Sequence, residues 1–343
     1  MIPFVAPIEP VYGAVEQVSP LIRRVVAENP SKYTYRGTGT YIVGRGEVAV
    51  IDPGPMLDSH RAALTAALVG STVTAILVTH CHADHSPLAA WLRSVSGAPT
   101  YAFGPHGEVD DGDVDDVPMP DEPLSPDDLL SPDESLSRDD LLSPDDLLSP
   151  DYSPADPEAT RESVDAGFAP DIALVDGALV CGSNWTVEAV HTPGHTSNHL
   201  CFALAEERAL FTGDHVMGWS TTVVSPPDGD MRAYCASLRK LQDRVGDQVY
   251  YPTHGGPITQ PQPFVEAYLA HRLERETQVL RLVRDGVGEV RDIVAILYAE
   301  VREELHRAAG RSVYAHLRKL VDDGEVAVDG GGAPTLRGTF RPY

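Results

Sequence analysis

A chain of 343 residues with 42% hydrophobic content is long enough to bury one large core and a small second one. Its net charge of −25 speaks against a general surface for polyanions, but 22 acidic residues against two arginines between Glu108 and Asp171 account for −20 of it. Met1-Ile2-Pro3-Phe4-Val5-Ala6-Pro7 has no basic stretch and no long apolar run, so neither signal peptide nor membrane span is expected, and the expected location is cytoplasmic.

In chain order, residues 21–28, 39–44 and 47–52 alternate or run apolar between glycines and read as a β meander whose last strand ends in Asp52. Asp58 is expected to cap a helix reaching about residue 69. The β-branched run 73–78 reads as a buried strand and 86–92 as a helix. Between them lies Thr79-His80-Cys81-His82-Ala83-Asp84-His85, a group of metal-capable side chains on a turn at a strand's C-terminal end. Open α/β sheets bind ligands there. His80 and His82 can converge on one spot while Asp84 and His85 reach a neighbouring one, which suggests two metal ions. Cys81, Cys181, Cys201 and Cys235 lack C-x-x-C spacing and read as reduced core thiols, with Cys81 pointing away from the metals because neighbouring side chains diverge. Residues 99–103 add another strand, and the alternation of strand and helix points to the α/β class.

Residues 107–170 break the pattern. Six-residue variants of Leu-Ser-Pro-Asp-Asp-Leu begin at Leu124, Leu130, Leu136, Leu142 and Leu148. Each resembles a helix start, but the next Ser-Pro arrives before a second turn closes. So acidic, proline-rich and aromatic-poor a segment reads as a disordered insertion.

Strand-like runs resume at 172–175 and 185–190, the latter leading into His191-Thr192-Pro193-Gly194-His195-Thr196-Ser197-Asn198-His199. Runs 200–204 and 209–212 follow, the second ending in Gly213-Asp214-His215. A helix over 231–245 precedes the strand 249–251 and His254. Strand ends thus bring His80, His82, His195, Asp214 and His254 to one edge, a donor set suited to Zn(II), with Mn or Fe as lesser choices. Helical patterns over 260–284, 290–298, 301–309 and 312–321, then a short strand within 324–330, outline a winged helix. The expected division is a domain over 1–284, carrying the insertion, and a small domain over 285–343.

These motifs resemble the metallo-β-lactamase superfamily, whose T-H-x-H-x-D-H, P-G-H-T, G-D and late histidine stand here as Thr79 to His85, Pro193 to Thr196, Gly213-Asp214 and His254. The resemblance implies an αββα sandwich holding two Zn(II): one on His80, His82 and His195, the other on Asp84, His85 and His254, with Asp214 bridging. It implies that Asp52 orients a ligand histidine and that His199 lies near the substrate, whereas His191 and His215 read as supporting or core residues. It also implies hydrolysis by a hydroxide held between the ions, Asp84 or Asp214 helping a proton to the leaving group.

The stretches Tyr268 to Gln278 and Ala308 to Leu320 are similar to the β-lactamase-like protein 2 family, which joins such a domain to a winged helix. Its animal member is a mitochondrial endoribonuclease acting on single-stranded RNA. Pro87 stands where these relatives usually have glycine, and the acidic insertion is not a family feature. A phosphodiester or single-stranded RNA is the first substrate expectation, with Arg311, His316, Arg318 and Lys319 contacting phosphates. The alternatives are a small-molecule ester or thioester hydrolase of the glyoxalase II type and a winged-helix nucleic-acid-binding protein with an inactive enzyme domain. The complete ligand set argues against the last.

Overall fold

The computed structural model describes residues 2–107, 163–299 and 306–343, so the acidic repeats lie outside the described residues. The meander expected from the first apolar runs is β1 (Val15–Gln17), β2 (Ile22–Val26), β3 (Gly39–Arg45) and β4 (Glu47–Ile51), paired antiparallel. Helix α1 (Asp58–Ala67) then leads to β5 (Thr72–Leu77), and α2 (Leu88–Ser96) leads to β6 (Thr100–Ala102). These crossovers make β4, β5 and β6 parallel, and β7 (Ile172–Ala173) adds the edge of a seven-stranded sheet.

The second sheet starts with β8 (Leu179–Cys181), β9 (Thr186–His191), β10 (Leu200–Leu204) and β11 (Ala209–Gly213), paired antiparallel. Helix α3 (Met231–Gln242) carries the chain to β12 (Val249–Pro252), which lies parallel to β11. Every residue of β10 is buried, which is why this strand reads as an unbroken apolar run rather than an alternating one. Helix α4 (Pro261–Arg284) follows, then α5 (Val290–Leu297), α6 (His306–Asp322) and a hairpin of β13 (Val326–Val328) with β14 (Phe340–Pro342).

The layers follow from which faces are apolar. Tyr41, Ile51 and Leu77 of the first sheet meet Val187, Phe202 and Phe211 of the second between the sheets. Leu64 of α1 and Leu92 of α2 cover the outer face of the first sheet against Val48 and Ile76. Tyr234 and Leu238 of α3, with Phe264 and Tyr268 of α4, cover the second against Cys201 and Tyr250. The result is an αββα sandwich carrying a small helical domain with a β hairpin. Helix α4 serves both parts: its first turns lie in the sandwich, while Val279, Leu282 and Val283 lie in the C-terminal core. At 24 residues it is about 36 Å long, enough to span them.

Three local expectations change. Asp58 does not cap α1: Leu57 holds the cap position, and Asp58 sits in the first turn, paired with Arg61 at 2.7 Å. The helices expected on either side of Gly310 are one helix from His306 onward, because Gly310 is buried within it rather than ending it. Residues 163–170, read as the far end of the insertion, belong to the folded body, with Phe168 in the core against α2. Cys181 is exposed, unlike the other three cysteines. No helix among the described residues is long and apolar enough to cross a membrane.

Burial pushes the imidazoles of His60 and His316 down to about 4 from an ordinary 6.5. The unfolded chain therefore takes up protons that the folded chain refuses, so this stability is whole above pH 6.5 and is lost as pH falls toward 4. Urea denaturation of metal-free protein at pH 7 and pH 5 should show the loss, and His60→Gln and His316→Gln should each shrink the difference between the two. An undiminished difference in both variants would refute the assignment.

Candidate metal centre

Loops leaving the ends of β4, β5, β9, β11 and β12 meet at one edge of the sandwich, and each brings part of the candidate site: Asp52, then His80 to His85, His195, Asp214 and His254. One donor atom from each of His80, His82, His195 and Asp214 lies within 4.8 Å of the others, and the same holds for Asp84, His85 and His254. The groups adjoin through Asp214, whose Oδ2 is 3.9 Å from Nε2 of His195, 3.5 Å from Nε2 of His85 and 3.4 Å from Nε2 of His254. Asp84 Oδ2 is 3.3 Å from both His85 Nε2 and His254 Nε2. In the first group His82 Nδ1 is 2.9 Å from His80 Nε2 and 3.3 Å from His195 Nε2.

The residues fit divalent cations. His85 Nε2 and Asp214 Oδ1 are buried without a hydrogen-bond partner, an expensive state for polar atoms unless an ion takes their lone pairs. Imidazole nitrogens and carboxylate oxygens are the ligands zinc takes. The far side of four of the five rings is held as well. His85 Nδ1 faces Asp52 Oδ2 at 2.9 Å, His195 Nδ1 the carbonyl of Val223 at 2.6 Å, and His254 Nδ1 the carbonyl of Gly37 at 3.1 Å. His80 Nδ1 lies 3.0 Å from Thr79 Oγ1, which itself donates to Asp52 Oδ2. An acceptor on the remote nitrogen puts the ring proton there and leaves the inward nitrogen as a lone pair.

Asp52 does this from a left-handed backbone, φ 48°, at the end of β4. Its carboxylate also accepts the Thr79 N–H at 2.8 Å and the Thr253 hydroxyl at 3.2 Å. Burial holds the His80 and His82 imidazoles well below their ordinary range. Burial would raise the carboxyls of Asp84 and Asp214, but the adjacent His85 and His254 hold both well below the usual range. The reverse applies to His254: burial opposes its protonation, yet Asp214 and Asp84 raise it to about 10.

His199, expected beside the substrate, is fully buried behind the cluster. Its Nε2 accepts the Asp214 N–H at 3.2 Å and its Nδ1 lies 2.9 Å from Thr192 Oγ1, so both ring nitrogens are engaged there. Cys81 Sγ turns toward Asn198 Nδ2 at 3.0 Å and belongs to neither donor group. His215 is buried, and His191 stacks on Phe103 at 3.9 Å. Pro87 holds the N-cap position just before α2, where a missing N–H is harmless.

Several supports went unread in the sequence. Thr38 donates to Asp84 Oδ2 at 2.8 Å; its only signal was the Gly37-Thr38-Gly39-Thr40 run at the start of β3. Residues just past the insertion brace the histidine loop: Ala83 N–H donates to the Ser163 carbonyl, Asp165 N–H to the Cys81 carbonyl, and Ser86 Oγ to Asp165 Oδ2, each at 2.8 Å.

The chain belongs to the metallo-β-lactamase superfamily: residues 35–254 match the family model of that description, and residues 290–333 match the model described as the beta-lactamase associated winged helix domain. It is an enzyme of the hydrolase class with a His/Asp site able to hold metal. Over 331 residues, 92% of this chain and 83% of the relative, it is 30% identical to the atrochrysone carboxyl ACP thioesterase nsrC of Aspergillus novofumigatus (strain IBT 16806). The beta-lactamase-like protein 2 homolog of Caenorhabditis elegans is 28% identical over 317 residues, 91% of this chain and 88% of that one. In fold it is similar to a beta-lactamase domain protein from Burkholderia ambifaria, with a TM-score of 0.68 at 19% identity, covering 100% of this chain and 97% of that one.

Replacing Asp52 by Asn removes the charge that orients His85, and metal binding should weaken roughly 10–100-fold in competition with a chromophoric chelator. Affinity equal to that of the parent chain would show that Asp52 has no such role.

Proposed function

We propose that this chain is a two-metal hydrolase of carboxylic thioesters, acting on an acyl group carried by a pantetheine-type thiol. The observation that carries the reading is the seven-residue donor cluster, in which Asp214 adjoins both groups. His80, His82 and His195 would hold one Zn(II), and Asp84, His85 and His254 the other, with Asp214 between them. When bound, such ions polarise a carbonyl and supply an acidified water near neutral pH.

The protein's own groups do the rest. Asp52, Gly37 and Val223 keep the ring protons of His85, His254 and His195 away from the ions. Thr38 orients the Asp84 carboxylate, which with Asp214 is held ionised and so able to serve as a cation ligand. A departing thiolate, with an ordinary pKa of about 8.5, makes little demand on a general acid.

The thioester class draws support from relatives named as ACP thioesterases that align over nearly the whole chain. Three of the four residues expected to contact RNA phosphates on α6 are engaged within the protein, whereas Arg318 is half-buried. Arg311 is buried with Nη1 on Ser225 Oγ, His316 is wholly buried 3.6 Å from Glu276, and Lys319 is paired with Glu276 and Asp323.

Purified chain, with and without residues 108–162, should hydrolyse an S-acyl pantetheine, while single-stranded RNA, S-lactoylglutathione and nitrocefin serve as competing substrates. His80→Ala, Asp214→Ala or chelation should lower thioester turnover at least ~10³-fold. RNA cleavage without thioester turnover would overturn the substrate class, and activity that survives chelation would overturn the metal reading.

A further inference from the structure

Of the C-terminal stretches singled out in the sequence, His271-Arg272-Leu273-Glu274-Arg275-Glu276 on α4 supplies no donor to the metal centre. Arg272 nevertheless reaches that centre through a short run of hydrogen bonds. Its side chain is buried, and its guanidinium lies over Tyr234, with Cζ 5.3 Å from the ring centroid. Nη2 donates to the carbonyl of Thr222. The Thr222 hydroxyl donates to the backbone carbonyl of Asp214 at 2.8 Å and lies 3.1 Å from that of His215. One residue on, the Val223 carbonyl accepts Nδ1–H of His195 at 2.6 Å. The Tyr234 hydroxyl ties the same loop from α3, donating to the His215 carbonyl at 2.7 Å.

A buried cation is a poor choice for stability alone, since an apolar side chain of similar length serves as well or better. The Nε of Arg272 has no hydrogen-bond partner, and among the described residues no carboxylate pairs with it. What the guanidinium does, and an apolar chain cannot, is fix the direction of the Thr222 carbonyl, and with it the neighbouring carbonyl that sets the His195 ring. We propose that Arg272 is a positioning residue of the metal centre, acting through Thr222 and Val223 on Asp214 and His195. A second tie comes from α6, where Arg311 Nη1 donates to Ser225 Oγ at 3.3 Å. The helices of the C-terminal part thereby set how two of the metal-facing side chains present their donors. This rests on the two-metal reading above, not on the choice of substrate.

The test uses the full chain loaded with Co(II), whose visible spectrum reports ligand geometry. Arg272→Met should bind one of the two ions about 10–100-fold more weakly, with an altered cobalt spectrum, and lower kcat while KM changes little. Thr222→Val removes the hydroxyl on the Asp214 carbonyl and should alter the spectrum in the same way; it decides the matter should Arg272→Met not fold. Arg275→Met is the control. Arg275 is equally buried on the same helix but lies over Tyr298, 5.0 Å from the ring centroid. Its loss should lower the melting temperature of metal-free protein and leave cobalt affinity and spectrum unchanged. Native affinity and spectrum in either Arg272→Met or Thr222→Val, or an equal loss of metal in Arg275→Met, would overturn the proposal. A parent chain that binds no Co(II) would overturn the metal reading and this inference together.

Discussion

Five imidazoles and two carboxylates share one space where two sheets end, buried except for the partly exposed Asp84, and the rest of the structure is arranged around keeping them there. Each group loses its water on burial, and burial by itself would push the imidazoles toward neutrality and the carboxyls toward protonation. Their interleaving resists this. Asp84 and Asp214 lie against His85 and His254, so the acids stay ionised and by themselves hold the two rings toward their protonated form. A close-packed sandwich is needed to hold such a set together, because any slack would let the groups separate and rehydrate.

The aiming is done mostly by the backbone. Carbonyls of Gly37 and Val223 hold two of the rings, and the left-handed turn at Asp52 swings its carboxylate under Thr79 and His85. A left-handed residue other than glycine costs on the order of 1–3 kcal/mol, which persists where the surroundings over-determine it. Here four partners do so: the Thr79 backbone, the Thr79 hydroxyl, the His85 ring and the Thr253 hydroxyl.

The C-terminal part is joined to this arrangement by a shared helix rather than by a linker. The first turns of α4 complete the outer layer of the second sheet, and its last turns complete the small core of α5, α6 and the β13–β14 hairpin. Charges that look available when counted along the sequence are used within this seam. Glu276 of α4 meets Lys319 of α6 at 2.6 Å, and Arg311 reaches back to the loop after β11. A neutral balance of 12 acidic and 12 basic residues from His271 onward thus describes internal pairing as much as surface charge.

By itself the sequence determined the class, because strand and helix patterns are local signals, and its motifs carried the resemblance that implies the sandwich and the candidate ligand set. Apolar runs with period two mark strands, and His80, His82, Asp84, His85, His195, Asp214 and His254 are rare residue types that fall just past strand ends. The helical pattern and the first hairpin strand near the end were legible for the same reason, except that Gly310 lies within one helix instead of dividing two. Only the tertiary structure decided what holds the site in shape. The acceptors for His195 and His254 are carbonyls 28 and 217 residues away, and every residue carries the same carbonyl, so no side chain marks the two that matter. Likewise His199 is a metal-capable residue in a metal-binding loop, and only packing could show that both its ring nitrogens are engaged behind Asp214. Residue type declares what chemistry is available; proximity between segments distant in sequence decides which groups are free to perform it.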